Sequence, residues 1–137
     1  MDLTQLSKII VEFYERLSSW EDSVVRDSGL TTAQAHTIEI VGHAGPIKMK
    51  DLAQKIGVTT GTLTVAVDRL EEKKLLVRNP CKTDRRAFLI ELTESGRAYF
   101  KQHHHFHIQM TREIVADLTD EEQQIFGTIV EKMLKKI

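Results

Sequence analysis

The stretch that decides the fold is KMKDLAQKIGVTTGTLTVAVDRLEEKKL, residues 48–75. Residues 48–57 have helical composition and stop at Gly57, the kind of residue that closes a helix. Thr59 is a good N-cap for a second helix running through residues 58–75, and Leu63, Val67 and Leu70 place one apolar face on it. Two helices joined by a short turn with glycine at the junction are a helix-turn-helix. The second helix opens on small polar residues, Thr59, Thr60, Gly61, Thr62 and Thr64, which suits a helix entering a major groove by its N-terminus. Thr59 is best explained as the cap alone, whereas Thr60 and Thr64 are the better contacts.

Immediately downstream, LLVRN (75–79) and RAFLIEL (86–92) alternate in the manner of strands, with Phe88, Ile90 and Leu92 on one face. The link between them, PCKTDR, is polar and basic, so the pair predicts a hairpin with a charged tip. Upstream, Thr31–Gln34 has capping-box spacing, with Thr31 or Thr32 at the N-cap of a short helix closed by Gly45-Pro46. Leu3, Leu6, Ile10, Phe13, Leu17, Trp20 and Val24 form a heptad seam on a first helix about 30 Å long at roughly 1.5 Å per residue. Beyond the hairpin, Thr93 or Ser95 caps a long helix to about residue 117. A second capping box at Thr119–Glu122 starts a last helix, expected to bury a stripe that includes Ile125, Phe126, Ile129 and Met133. The fold class is thus mainly α with a small β-hairpin.

Charge is unevenly spread along the 137 residues. The net charge is −1, but residues 48–86 carry +5 and the remainder −6. A basic middle between acidic ends fits a local polyanion-binding surface or a solvated, charge-segregated one. No window of about 18 apolar residues is present, so no membrane span is expected. MDLTQLSK lacks an apolar signal region, and a single cysteine, Cys81, cannot form an internal disulfide; a reducing cytoplasm is the expected location. There is no H-E-x-x-H, no phosphate-cradling glycine loop and no placed general base, so an enzyme is not expected. A protein-binding module that has lost DNA binding is the other class the charge total leaves open.

DLAQKIGVTTGTLTVAVDRLEEKKLLVR followed by DRRAFLIELTESG resembles the MarR family of winged helix-turn-helix transcription regulators. The family's D-x-R near the hairpin tip reads Asp84-Arg85-Arg86, and its L-T-x-x-G reads Leu92-Thr93-Glu94-Ser95-Gly96. The resemblance extends over essentially the whole chain. It implies one MarR-like domain over 1–137, with a winged helix-turn-helix DNA-binding module at 31–95. Residues 1–30 and 96–137 are then dimerisation helices that build a homodimer reading a pseudo-palindromic duplex. It also implies that Arg86 is the residue the wing inserts, held by Asp84 through a charge-assisted pair. Arg85 joins it at the tip, and Lys48, Lys50 and Lys82 are phosphate contacts. Arg69 either reaches a phosphate or pairs with Asp68 or Glu72. The family often has a basic residue after the threonine at position 64; here it is Val65, which shifts weight from base readout by arginine to shape and wing.

KQHHHFHIQ (101–109) concentrates four of the six histidines. His103 and His107 are one turn apart on a helix and can supply two metal ligands, with His36 and Glu21 as candidates to complete a zinc site. Zinc-responsive uptake repressors of the family resemble this pattern, but they add cysteine ligands that this chain lacks. MDLTQ, AHTIEIVG, VTTGTLT, DRR and the histidine–phenylalanine run are more similar to the family's repressors of fatty-acid synthesis. That likeness implies long-chain acyl carrier protein as co-repressor and no required cofactor. His36, His103 and His107 would then form a polar cluster at an effector pocket, with Phe13, Trp20 and Phe106 lining it. Some of these histidines can equally be solvated, since His104 and His105 turn about 100° and 200° away from His103.

Overall fold

The computed structural model describes residues 1–137. Six helices and three strands follow in the order α1 (Leu3–Asp27), α2 (Thr32–Ala44), β1 (Ile47–Lys48), α3 (Met49–Ile56), α4 (Thr60–Glu72), β2 (Leu76–Pro80), β3 (Phe88–Leu92), α5 (Glu94–Ile114) and α6 (Asp120–Leu134). They form two compact units, residues 1–101 and 102–137, with the boundary falling within α5.

In the first unit the helix starts are set by local hydrogen bonds. Asp2 and Thr31 each head a complete capping box, and Thr59 accepts the N–H of Thr62. Each side chain satisfies a donor that the first turn would otherwise leave unpaired, worth about 1 kcal/mol. At the other end of α4, Lys74 sits in the left-handed region (φ 59°), and the N–H of Leu75 returns to the Leu70 carbonyl at 2.9 Å. This is a Schellman-type stop, and it turns the chain directly into β2.

The sheet has three strands, not the expected two, in the order β1-β3-β2 and antiparallel throughout. Ile47 pairs with Ile90, and Leu76 with Leu92. The alternation of β3 turns Ile90 and Leu92 inward. There they meet Ile38 and Val41 of α2, Leu52 of α3, and Leu63, Val67 and Leu70 of α4 in one buried core. Full burial contributes about 1.5–3 kcal/mol for each such side chain.

Two glycines are fixed by close packing. A Cβ on Gly42 would fall 2.2 Å from the Phe100 ring, and one on Gly96 would fall 2.0 Å from the Leu75 carbonyl oxygen. Thr93 ties the same corner: its hydroxyl donates to the Lys74 carbonyl (2.6 Å) and accepts the N–H of Gly96 (3.0 Å). The L-T-x-x-G sequence is therefore the joint between β3, the α4–β2 turn and the start of α5.

The seam of α1 is mostly exposed. Leu3, Leu6, Ile10 and Phe13 are exposed, Leu17, Trp20 and Val24 are half-buried, and only Val25 reaches the core. In the second unit, Thr119 and Glu122 complete the capping box of α6. The expectation that α6 buries its apolar stripe does not hold within one chain: no α6 residue is buried, and Ile129 is 48% exposed. The periodicity marks a face that a single protomer does not cover.

Candidate nucleic-acid interface

The helix-turn-helix is built as its residues require. Gly57 takes the left-handed conformation (φ 82°) that lets α3 stop, and Thr59 starts α4 two residues later. Leu63, Val67 and Leu70 anchor α4 to the core, so its other side is fixed facing outward. Thr59, Thr60, Gly61, Thr62, Thr64, Val65 and Arg69 are all exposed there. The first turn of α4 has no acidic residue, so the positive end of its dipole and its unpaired N–H groups are not offset by a carboxylate.

The threonine hydroxyls are not equivalent. Thr59 donates to the Thr62 hydroxyl (3.0 Å) while accepting the Thr62 N–H (3.2 Å), so it works as the cap. Thr64 donates to the Thr60 carbonyl at 2.7 Å. With that proton committed, Thr64 presents a methyl group and an acceptor.

Between α4 and the β2–β3 wing lies an open groove of about 790 Å³, whose lining includes Lys48, Lys50, Thr60, Thr64, Asp84 and Arg86. Six of the expected contacts thus share one surface. Thr59, Gly61, Thr62, Arg69, Lys82 and Arg85 lie outside that lining, although all are exposed. At the wing tip, Asp84 holds Arg86 by a route other than the expected ion pair: its Oδ1 accepts the backbone N–H of Arg86 at 3.0 Å, and its carbonyl accepts the Ala87 N–H at 3.2 Å. The carboxylate fixes the turn and leaves the guanidinium to project. Cys81 is buried at the base of the tip, 3.3 Å from the Thr83 hydroxyl, and hydrogen bonds from Thr83 hold its thiol below the usual range.

Arg78 is the residue that sequence reasoning missed. It rises from β2 and bridges α4, with Nη2 at 2.5 Å from Asp68 and Nη1 at 3.0 Å from Glu71. It offsets two carboxylates beside a surface that is otherwise basic and ties the wing to α4. Asp68 therefore pairs with Arg78 rather than with Arg69. The Lys/Arg and Asp/Glu spacing of residues 68–78 could have suggested the pair, but only the strand's return past the helix brings it together. Phe88, exposed on the same groove, was read only as one side of a strand face.

The histidines divide between the units. On α5, His103 is buried and His107 half-buried, with their Nε2 atoms 3.0 Å apart, while His104 and His105 are exposed and Phe106 is half-buried. One Nε2–H donates to the other ring's lone pair, or a cation takes both lone pairs; two protonated Nε2 atoms do not fit that distance. In the first unit, His36 is exposed on α2, Phe13 is exposed on α1, and Trp20 and Glu21 are half-buried on α1.

Comparison with known proteins places this arrangement. Residues 30–88, from the start of α2 to the first residue of β3, match the model of the MarR family. Over this segment the chain is similar to the MarR family. The chain is 26% identical, across 129 residues, to the HTH-type transcriptional regulator MhqR of Bacillus subtilis, covering 94% of this chain and 86% of MhqR. The crystal structure of apo MarR from E. coli superposes with a TM-score of 0.76 at 26% identity, covering 98% of this chain and 97% of MarR. Streptococcus pneumoniae FabT, solved in complex with DNA, shares the fold at a TM-score of 0.90 and 23% identity, covering 98% of this chain and 96% of FabT. The winged helix-turn-helix is thus the observed fold class.

Proposed function

We propose that this protein is a transcriptional regulator of the MarR family, acting as a homodimeric, sequence-specific DNA-binding repressor. One observation carries the reading: Thr60 and Thr64 on α4, Lys48 and Lys50 at the start of α3, and Arg86 on the wing line a single exposed groove. In this reading α4 enters the major groove by its acid-free N-terminus, and Arg86 reaches the flanking minor groove or its phosphates. The exposed apolar faces of α1 and α6 are what a second copy would cover, and two-fold pairing doubles the module for a pseudo-palindromic operator. That FabT was solved with DNA in the same fold supports the mode of engagement. No helix is long and apolar enough to cross a membrane, and action on DNA would place the protein in the cytoplasm. No catalytic role is assigned.

For the effector, the motif likeness quoted above favours repression of fatty-acid synthesis genes with long-chain acyl carrier protein as co-repressor. A second reading, zinc response, is favoured by the 3.0 Å Nε2–Nε2 approach of His103 and His107, which places two ligand atoms side by side. The test is binding to promoter fragments across a salt series, repeated with zinc and with long-chain acyl carrier protein added separately. Affinity should fall steeply with salt and rise with the acyl carrier protein. A response to zinc alone would reverse the ranking of effectors, and failure to bind any fragment at low salt would refute the DNA-binding reading.

A further inference from the structure

The outermost line of α4 carries Gly61 and Val65, one turn apart. At about 100° per residue both lie opposite the stripe of Leu63, Val67 and Leu70 that faces the core. Thr60 and Thr64 turn toward the wing groove, and Arg69 lies on the other flank. Val65 is 53% exposed. A β-branched apolar side chain there gains little burial and is a mediocre helix former, so nothing inside the protomer explains it. A Cβ at Gly61 would meet nothing nearer than the Thr59 hydroxyl at 4.0 Å; internal packing does not explain the glycine either. Over its first turns the crest is therefore a glycine step followed by an isopropyl group; the acidic side chains of Asp68 and Glu72 follow only farther along the helix.

The major-groove edge of DNA offers one apolar feature, the C5 methyl of thymine. Any other base edge set against Val65 would have its donor or acceptor desolvated without a partner, an unfavourable exchange. We infer that Val65 is a specificity-determining residue that selects thymine in each half-site by packing on the C5 methyl, with Gly61 letting the helix come close enough to do so. The inference rests on the DNA-binding reading above and adds the identity of a base.

The test uses the full-length protein and a duplex recovered by selection from a random pool. Each thymine is replaced in turn by deoxyuridine, which removes the methyl and leaves base pairing intact. One thymine per half-site should show about a fourfold loss of affinity, equivalent to about 0.8 kcal/mol, and replacing both should cost about sixteenfold. The Val65→Ala protein should be indifferent to the same replacement while keeping the wild-type salt slope. Wild-type binding that is salt-dependent yet insensitive to every deoxyuridine would overturn the inference and leave the DNA-binding reading standing. A Val65→Ala protein that keeps the full deoxyuridine penalty would overturn it as well. Failure to recover any bound duplex would strike the DNA-binding reading itself, and this inference with it.

Discussion

Replacing Gly61 with alanine separates what α4 needs for its own stability from what it needs to approach a duplex. Glycine inside a helix costs up to about 1 kcal/mol relative to alanine. Gly61 is the second residue of α4, so about 0.5 kcal/mol is the lower expectation. The new methyl has room, since its nearest neighbour would be the Thr59 hydroxyl at 4.0 Å. The variant should therefore be more stable by about 0.5–1 kcal/mol, seen as a rise of about 2–4 °C in thermal melting. On DNA the same methyl would stand on the crest, between helix and groove floor, and lift the threonines from their partners. About tenfold weaker binding, or about 1.4 kcal/mol, should appear in fluorescence anisotropy on the selected duplex. Gly96→Ala supplies the opposite sign, because its Cβ would lie 2.0 Å from the Leu75 carbonyl oxygen; overpacking of this kind costs about 1–3 kcal/mol. A Gly61→Ala protein that melts higher and binds as tightly as wild type would refute the argument that this glycine is kept for close approach. One that melts lower would refute the packing estimate.

Other substitutions probe the remaining parts of the account. Arg86→Ala should weaken operator binding by about tenfold or more and lower the salt slope by about 0.9, with the oligomeric state by light scattering unchanged. Ile10→Glu alters a side chain that is 43% exposed in the protomer; the winged module should keep its helical signal while the dimer dissociates, and an intact dimer would refute the assignment of that face. Arg78→Met leaves Asp68 and Glu71 without their guanidinium, so affinity should fall severalfold. Combined with Arg86→Ala the losses should be non-additive, because a wing no longer tied to α4 gains less from its arginine.

The features legible in the sequence were those settled within a few residues. Thr59 and Thr119 were expected as caps and are caps, and of Thr31 and Thr32 the cap is Thr31, because the hydroxyl, the N–H it accepts and the helix it starts are all local. The alternation of residues 88–92 led to β3; of the face shared by Phe88, Ile90 and Leu92, the last two are buried and Phe88 is exposed. Strand β1 escaped because two residues, Ile47 and Lys48, carry no period; it exists only because the edge of β3 is there to pair with. Arg78 escaped for the same reason, its partners being brought round by the turn after α4. At Asp84 the family resemblance implied a charge-assisted pair with Arg86, but residues two apart close a backbone turn more readily than they align side chains. The stripe of α6 showed that a face needs covering and did not show by what. His36, grouped with His103 and His107 by sequence likeness, is an exposed residue of α2.

The most direct test is a hydroxyl-radical footprint of the full-length protein on its selected duplex, paired with the mass of the complex. Two protected patches related by a two-fold axis, about one helical turn apart from centre to centre, in a complex of one duplex and two chains, are the predicted result. A single patch protected by one chain, or uniform protection without a dyad, would contradict a duplicated winged helix set across the grooves.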